Sequence, residues 1–443
     1  MEQDLTTGSV FKRIVYFSLP YLLSYFLQTL YGMADLFITG QFYGVDTITA
    51  VSNGSQIMHM MTVIIVGLAM GTTVTIGHSV GAKCMEQAEK IIGNTITLFM
   101  GIAVAFTVIL VVLVKPIVVL IATPQEAVAG TSIYLLICFI GIPFITAYNI
   151  ISSIFRGLGD SKSPMYFIGI ACVMNIALDY LFMGAFHMGA AGAALGTVCA
   201  QTFSVLVALW VIRRRKTGIS LKKSDFKIER AVIGQVLKIG IPVALQDGFI
   251  QVAFMIITVI ANSRGVSDAA AVGVVEKVIS ALFIVPSSML ATVSALSAQN
   301  LGAGKEKRAT DTLHYATVIT TIYGMIVAVL IQFIAENVVG IFTSDTTVVT
   351  MGSAYIWDCI FAGIHFSFSG YFAACGKSYI GFLHNIISIT FVRVPGSYLA
   401  SKYFTDTLYP MGLAAPAGSL VSVAICVTAF ILLKRKSRVA QTA

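Results

Sequence analysis

The amino-acid sequence predicts an all-α integral membrane fold: twelve transmembrane helices, arranged as two parallel six-helix repeats related by a pseudo-two-fold axis along the membrane normal. Three observations carry that prediction. The chain of 443 residues is 57% hydrophobic and only 11% charged, with a mean hydropathy of +0.89, whereas ordinary soluble domains carry about 25% charged residues. Apolar runs long enough to cross a hydrocarbon core of about 30 Å recur along its whole length. The pattern that opens the chain also returns near its middle.

In chain order the apolar runs are Ile14 to Gln41, Ile48 to His78, Ile91 to Leu113, Val128 to Phe155, Ser163 to Gly184 and Ala190 to Ile212. The second set is Ile233 to Asn262, Ala269 to Asn300, Asp311 to Phe333, Val349 to Cys375, Tyr379 to Ser401 and Met411 to Leu433. The first run is too long for a cleavable signal, lacks a small-residue cleavage site and continues almost directly into the next span, so it reads as a retained anchor.

Charge placement sets the topology and excludes nucleic acid as a partner. The net charge is +8, but the basic residues collect in alternate loops and at both ends. With a cytoplasmic N-terminus, 23 of the 28 Lys and Arg fall inside, nine of them between Arg213 and Lys238. Only Lys115, Arg264 and Lys402 fall outside, while Lys277 and Arg393 lie within spans. The positive-inside rule therefore puts both termini in the cytoplasm. The seven cysteines form no CxxC pair and have no metal-like spacing to His, so they read as packing residues. His59, His187 and His365 read as hydrogen-bonded structural groups rather than ligands.

Phe17-Ser18-Leu19-Pro20 reappears as Ile239-Gly240-Ile241-Pro242, each opening a long apolar run. Asp46 and Ala50-Val51 pair with Asp268 and Ala271-Val272, and Ser79-Val80-Gly81-Ala82-Lys83 with Asn300-Leu301-Gly302-Ala303-Gly304. Six spans per repeat is an even number, so the halves are parallel, an arrangement transporters use to open a central cavity to each side in turn. The expected division is an N-terminal lobe over residues 1–212, a basic cytoplasmic linker over 213–230 and a C-terminal lobe over 231–443 with a basic tail.

Asn175 and Asp179 lie four residues apart in the apolar stretch Met165 to Ala185, on one face of its helix. An ionisable group at mid-membrane depth costs at least about 2.5 to 3.5 kcal/mol, so such acids mark ion or proton pathways. Asp35 poses the same question in the first span, where Gln28, Tyr31 and Asp35 at i, i+3 and i+7 form one polar stripe. With Thr197 on the sixth span, these residues offer carboxylate, amide and hydroxyl oxygens, the ligand set a hard cation prefers. A sodium ion or a proton suits them equally; Asp35, Asn175, Asp179 and Thr197 act as metal ligands only in the sodium case. The bland alternative is a hydrogen-bond network gluing helices, at an average of about 0.6 kcal/mol per contact; it explains a lone Asn or Thr better than two embedded acids.

The run Phe155-Arg156-Gly157-Leu158-Gly159-Asp160-Ser161-Lys162-Ser163-Pro164-Met165, with Asn175-Ile176-Ala177-Leu178-Asp179-Tyr180, Gly189 to Ala194 and Thr197, resembles the first-half signature of the multidrug and toxic compound extrusion (MATE) family. Leu19-Pro20 with Gln28, Tyr31 and Asp35, and Gln299 to Gly304 in the second half, stand where that family has them. The resemblance spans the chain. It implies an antiporter that exports bulky organic cations while protons or sodium ions flow inward, with no cofactor beyond the coupling ion. By motif position, Asp35, Asn175, Asp179 and Thr197 would couple the ion, Gln28, Tyr31 and Asn149 would line the substrate cavity, and Pro20 would be the hinge of the first helix. Localisation in a bacterial cytoplasmic membrane, and a monomer in contact with lipid, follow from the same resemblance. The NorM branch places acids on the seventh and tenth helices. Here Gln251 and Ile364 or His365 occupy those places, so the first-half site of the archaeal and DinF types is the expectation.

Other classes fit less well. Gly370 to Ser378 has five residues where a Walker A loop needs four, and reads as a helix end. HExxH, aspartate-rich diphosphate and Ser-His signatures of a membrane enzyme are missing from the sequence. A flippase for lipid-linked saccharides would want several cavity cations, and only Arg393 and Lys277 are candidates. The spacings Gly67 to Gly71 and Gly192 to Gly196 read as close helix packing. Glu276 beside Lys277 reads as a neutralised pair.

Overall fold

Apolar stretches in a bilayer must satisfy every backbone group internally, and the regular elements of the described residues are all helical. The computed structural model of the protein describes residues 4–214, 219–340 and 357–442. Among the described residues, eight helices are long and apolar enough to cross a membrane singly, and the pair Gln125–Ile140 and Ile142–Gly157, bent by 51°, makes a ninth when counted as one broken span. Val10–Phe42, Asp358–Ala374 and the run 378–403 complete the twelve-helix, two-repeat fold. The first part of the expected tenth span lies outside the described residues.

The elements that matter below are α1 (Val10–Phe42), α2 (Val45–Gly81), α3 (Met85–Val112), α4 (Val114–Leu120), α5 (Gln125–Ile140), α6 (Ile142–Gly157), α7 (Lys162–Asp179), α8 (Gly189–Arg214) and α9 (Arg230–Asn262). The fourth span was expected as one run from Val128 to Phe155; it breaks at Gly141, because Pro143 sits in the first turn of α6 and cannot continue the hydrogen-bond ladder. The fifth span is α-helical only as far as Asp179, and Tyr180–Ala185 is a π-helical turn. The eleventh has a matching π turn at Ile389–Arg393.

The chain forms two compact units, Met1–Leu5 with Leu19–Gly240, and Thr6–Ser18 with Ile241–Ala443. The divisions fall one residue before Pro20 and one before Pro242, at equivalent places in the repeat. In the second unit the segment ahead of Pro20 is held by Arg308, which donates to the Gly8 and Thr7 carbonyls at 2.7 and 3.3 Å, and Phe11 packs edge-on against Tyr315.

The duplication is visible in backbone detail. At repeat-equivalent places, two helices in each half end in the same paired turn, in which one amide reaches back three residues and the next reaches back five. α4 also ends this way, at Ala122 (φ 49°) and Thr123, with no described counterpart. The repeat-equivalent pairs are Lys83 to Val80 with Cys84 to Ser79, Gly159 to Arg156 with Asp160 to Phe155, Gly304 to Leu301 with Lys305 to Asn300, and Gly376 to Ala373 with Lys377 to Phe372. The pivotal residue is left-handed in each: φ is 93°, 70° and 68° at the three glycines and 59° at Lys83. A side chain there costs energy, so three of the four turns use glycine. The conspicuous run 155–165 is largely such architecture. The guanidinium of Arg156 lies 4.5 Å from the Tyr21 ring centre. Asp160 caps α7 by accepting from the Lys162 and Ser163 amides at 2.9 and 3.0 Å.

Candidate ion-coupling site

α1, α7 and α8 deliver the polar groups of the first unit to one buried spot. Asp35, Asn175, Asp179 and Thr197 are 3%, 0%, 0% and 9% exposed. The Thr197 hydroxyl donates to Asp35 Oδ2 at 3.5 Å, and the Asn175 amide donates to Asp179 Oδ1 at 3.4 Å. The two carboxyls lie within hydrogen-bonding reach of each other. Two carboxylates side by side in a dry interior cannot both stay ionised and unbridged; a shared proton or a bound cation must offset at least one of the two charges.

Three oxygens remain without a protein donor: Asp35 Oδ1, Asn175 Oδ1 and Asp179 Oδ2. All three are acceptors, and with the Thr197 hydroxyl oxygen they make a donor set of the kind that hard cations select. Leaving such groups unsatisfied costs about 1–3 kcal/mol each, a cost that a positive ligand or a bound water at these oxygens would offset. The described residues contain no group of three or more His, Cys, Asp or Glu suited to a resident metal; a sodium ion here would be transported cargo held by mixed oxygen ligands.

Tyr31 reaches the Thr197 hydroxyl from α1, so the predicted stripe meets the acids at that point. Gln28 is half-buried one turn earlier. Asn149 is buried, but its amide donates to the Ile145 carbonyl of its own helix at 2.8 Å, and no hydrogen bond ties it to the acid pair. Pro20 lies inside α1. Two contributors were not assigned to the site from the sequence: Tyr134 on α5, which also reaches Thr197, and Gly196, read only as helix packing. A Cβ on Gly196 would collide with Asp179 Oδ1 and lie 3.6 Å from Asn175 Nδ2. Its position next to Thr197 was the available signal.

The second unit has a different polar interior. Asp358 pairs with Arg393 at 2.6 Å, both buried, which uses the one buried arginine that a flippase reading had available; Lys277 is exposed. Glu276 accepts from the Thr258 hydroxyl at 3.2 Å rather than pairing with its neighbour Lys277, whose side chain points elsewhere on the helix, since adjacent positions do not face each other. His365 meets Ser419 at 3.4 Å, in keeping with a structural role.

One family model, MatE, matches this chain twice, over residues 20–181 and 242–399. The chain belongs to the MatE family. The two matches start at the two prolines, Pro20 and Pro242, so each six-helix repeat of this MATE transporter carries the family pattern. Among known relatives, the "probable multidrug resistance protein YpnP" of Bacillus subtilis (strain 168) is 30% identical over 415 residues, covering 93% of both chains. The "probable multidrug resistance protein NorM" of Thermotoga maritima is 23% identical over 89% of this chain and 86% of its own. A crystal structure of MATE in complex with MaL6 superposes with a TM-score of 0.91 at 19% identity, covering 99% of each chain. An outward-facing multidrug resistance MATE transporter of the MOP superfamily gives 0.91 at 21%, covering 99% and 98%. These two likenesses establish the fold.

Proposed function

We propose that this MATE protein is a secondary active antiporter that exports bulky organic cations, drugs among them, in exchange for an inward proton or sodium ion. The observation that carries the proposal is the buried Asp35 and Asp179 pair with three acceptor oxygens that no protein donor reaches. Membership of a transporter family supports the transport half, and relatives named multidrug resistance and multidrug export proteins support the substrate class. The pair accepts one positive charge at a time. Occupation by the coupling ion and loading of a cationic substrate therefore oppose each other, and each favours a different access state, so exchange follows from competition. The two carboxyls titrate as one system, and a single proton or monovalent cation offsets one of their two negative charges. Aromatic groups beside the acids, Tyr31 and Tyr134, add cation-π attraction for aromatic and quaternary substrates. The family and its bacterial relatives support a location in a bacterial cytoplasmic membrane, and the alternation of basic loops supports both termini inside.

The test is efflux of a fluorescent organic cation from proteoliposomes under a sodium gradient and, separately, under a pH gradient. Asp35→Asn and Asp179→Asn are each expected to abolish the gradient-driven component while the protein inserts normally. Wild-type efflux by both variants refutes the assignment.

A further inference from the structure

Between α8 and α9 lies a segment whose backbone is fastened to α3. Asn94 holds it at two points, donating to the Asp225 carbonyl at 3.1 Å and accepting from the Glu229 amide at 2.7 Å. Thr97 donates to the Phe226 carbonyl at 2.9 Å, and the Ser220 amide donates to Glu89 Oε1 at 2.7 Å. Gly93 lets the backbone at Asp225 approach so closely that a side chain there would strike it. The sequence marked this stretch only as a basic linker.

The fastening sorts its side chains by charge. Asp225 is turned inward, 6% exposed, with Oδ2 accepting from the Lys222 amide at 2.7 Å. Lys222, Lys223, Lys227 and Arg230 all point outward, and none forms an ion pair with a described residue. Among them Leu221, Phe226 and Ile228 are 39%, 38% and 61% exposed. A cytoplasmic loop obeying only the positive-inside rule needs the charges, but neither a pinned backbone nor apolar side chains displayed between them.

Depth along α3 explains the apolar groups. The hydrocarbon core takes about twenty helical residues, which counted back from the outer end of α3 at Val112 reaches Gly93. The fastening points at Gly93, Asn94 and Thr97 therefore lie at the inner boundary of the hydrocarbon. Trp210, 58% exposed near the end of α8 with the Arg214 guanidinium 5.3 Å from its ring centre, has the character of an interfacial belt residue.

We propose that residues 219–230 form an interfacial element that binds anionic phospholipid: Phe226 and Ile228 enter the acyl boundary, and Lys222, Lys223, Lys227 and Arg230 engage the headgroups. Clusters of four or more basic residues directly cytoplasmic of a membrane helix have this electrostatic affinity, and apolar side chains beside them add burial.

Two measurements on the full-length reconstituted protein test it. The first is binding of spin-labelled phosphatidylglycerol, compared with spin-labelled phosphatidylcholine, for the wild type and for the variant K222Q/K223Q/K227Q/R230Q. The wild type is expected to prefer phosphatidylglycerol, and the preference to fall about fivefold for each cation removed. Because all four side chains are exposed, the variant keeps its fold, which its unchanged elution profile checks. Equal preference in the two proteins overturns the proposal, as does displacement of the labelled lipid by inorganic phosphate, which would mark a free-anion surface. The second is Phe226→Trp fluorescence against phospholipids brominated at successive acyl positions, read as the difference from the parent protein. Quenching by bromine near the headgroup end is expected; no quenching at any position overturns the placement.

Discussion

Gly196→Ala is the sharpest probe of the acid pair, because it adds one methyl group to the wall of the site without changing its charge. The new carbon would overlap Asp179 Oδ1 and sit 3.3 Å from Asp179 Cγ. Either the carboxyl rotates away from Asp35, or α8 and α7 separate. Overpacking of this kind costs about 1–3 kcal/mol. Spent on displacing a ligand of the coupling ion, that corresponds to a loss of about 5- to 150-fold in apparent ion affinity, at 1.4 kcal/mol per factor of ten. The assay is the half-saturating sodium or proton concentration for dye efflux from proteoliposomes, with whichever gradient drives the wild type. Gly192→Ala is the control on the same helix, since a Cβ there meets Met183 Cγ at 3.0 Å and Met188 Cβ at 3.2 Å and no carboxyl. It is expected to lower thermal stability while leaving half-saturation unchanged. An unchanged ion dependence in Gly196→Ala, or an equal shift in both variants, refutes the idea that Gly196 seats Asp179.

Two further outcomes follow from the structure. Asp358→Asn or Arg393→Met alone leaves one buried charge uncompensated and should lower stability by about 3–5 kcal/mol, while the double change Asp358→Leu with Arg393→Met should recover most of it; thermal unfolding in detergent, followed by size-exclusion chromatography, reads both. Lys83→Gly should stabilise by about 1 kcal/mol by relieving a left-handed side chain, and Gly304→Val, at the equivalent turn, should destabilise by a similar amount in the same assay.

Much of the architecture was legible because hydrophobic length and charge alternation answer directly to bilayer thickness and insertion. The acid pair was legible for a related reason: Asp35 and Asp179 are conspicuous where nothing but apolar side chains is cheap. What stayed hidden depended on local backbone form. A run such as Val128 to Phe155 reads as one helix, since Gly141 and Pro143 are individually tolerated in membrane spans, and only the packing decides that the chain bends there. Gly196 looked like one more small residue for helix contact; that its missing side chain is filled by a carboxyl needed coordinates. Asn149 and Gln28 were assigned by motif position, which fixes a helix and a depth but not which neighbour an amide chooses.

The π turn at Tyr180–Ala185 gives the fifth span one residue more than an ideal helix would need, set immediately beyond Asp179. One residue of an α-helix corresponds to about 100° of rotation. Excising that surplus would swing everything upstream around the axis and aim the carboxyl away from Asp35, though every amino acid of the cluster would still be there. The span's bookmark is therefore a matter of phase as much as of composition: an alignment that tallies matching letters across this stretch, but slips by a single position, would describe a helix with its acid on the wrong side.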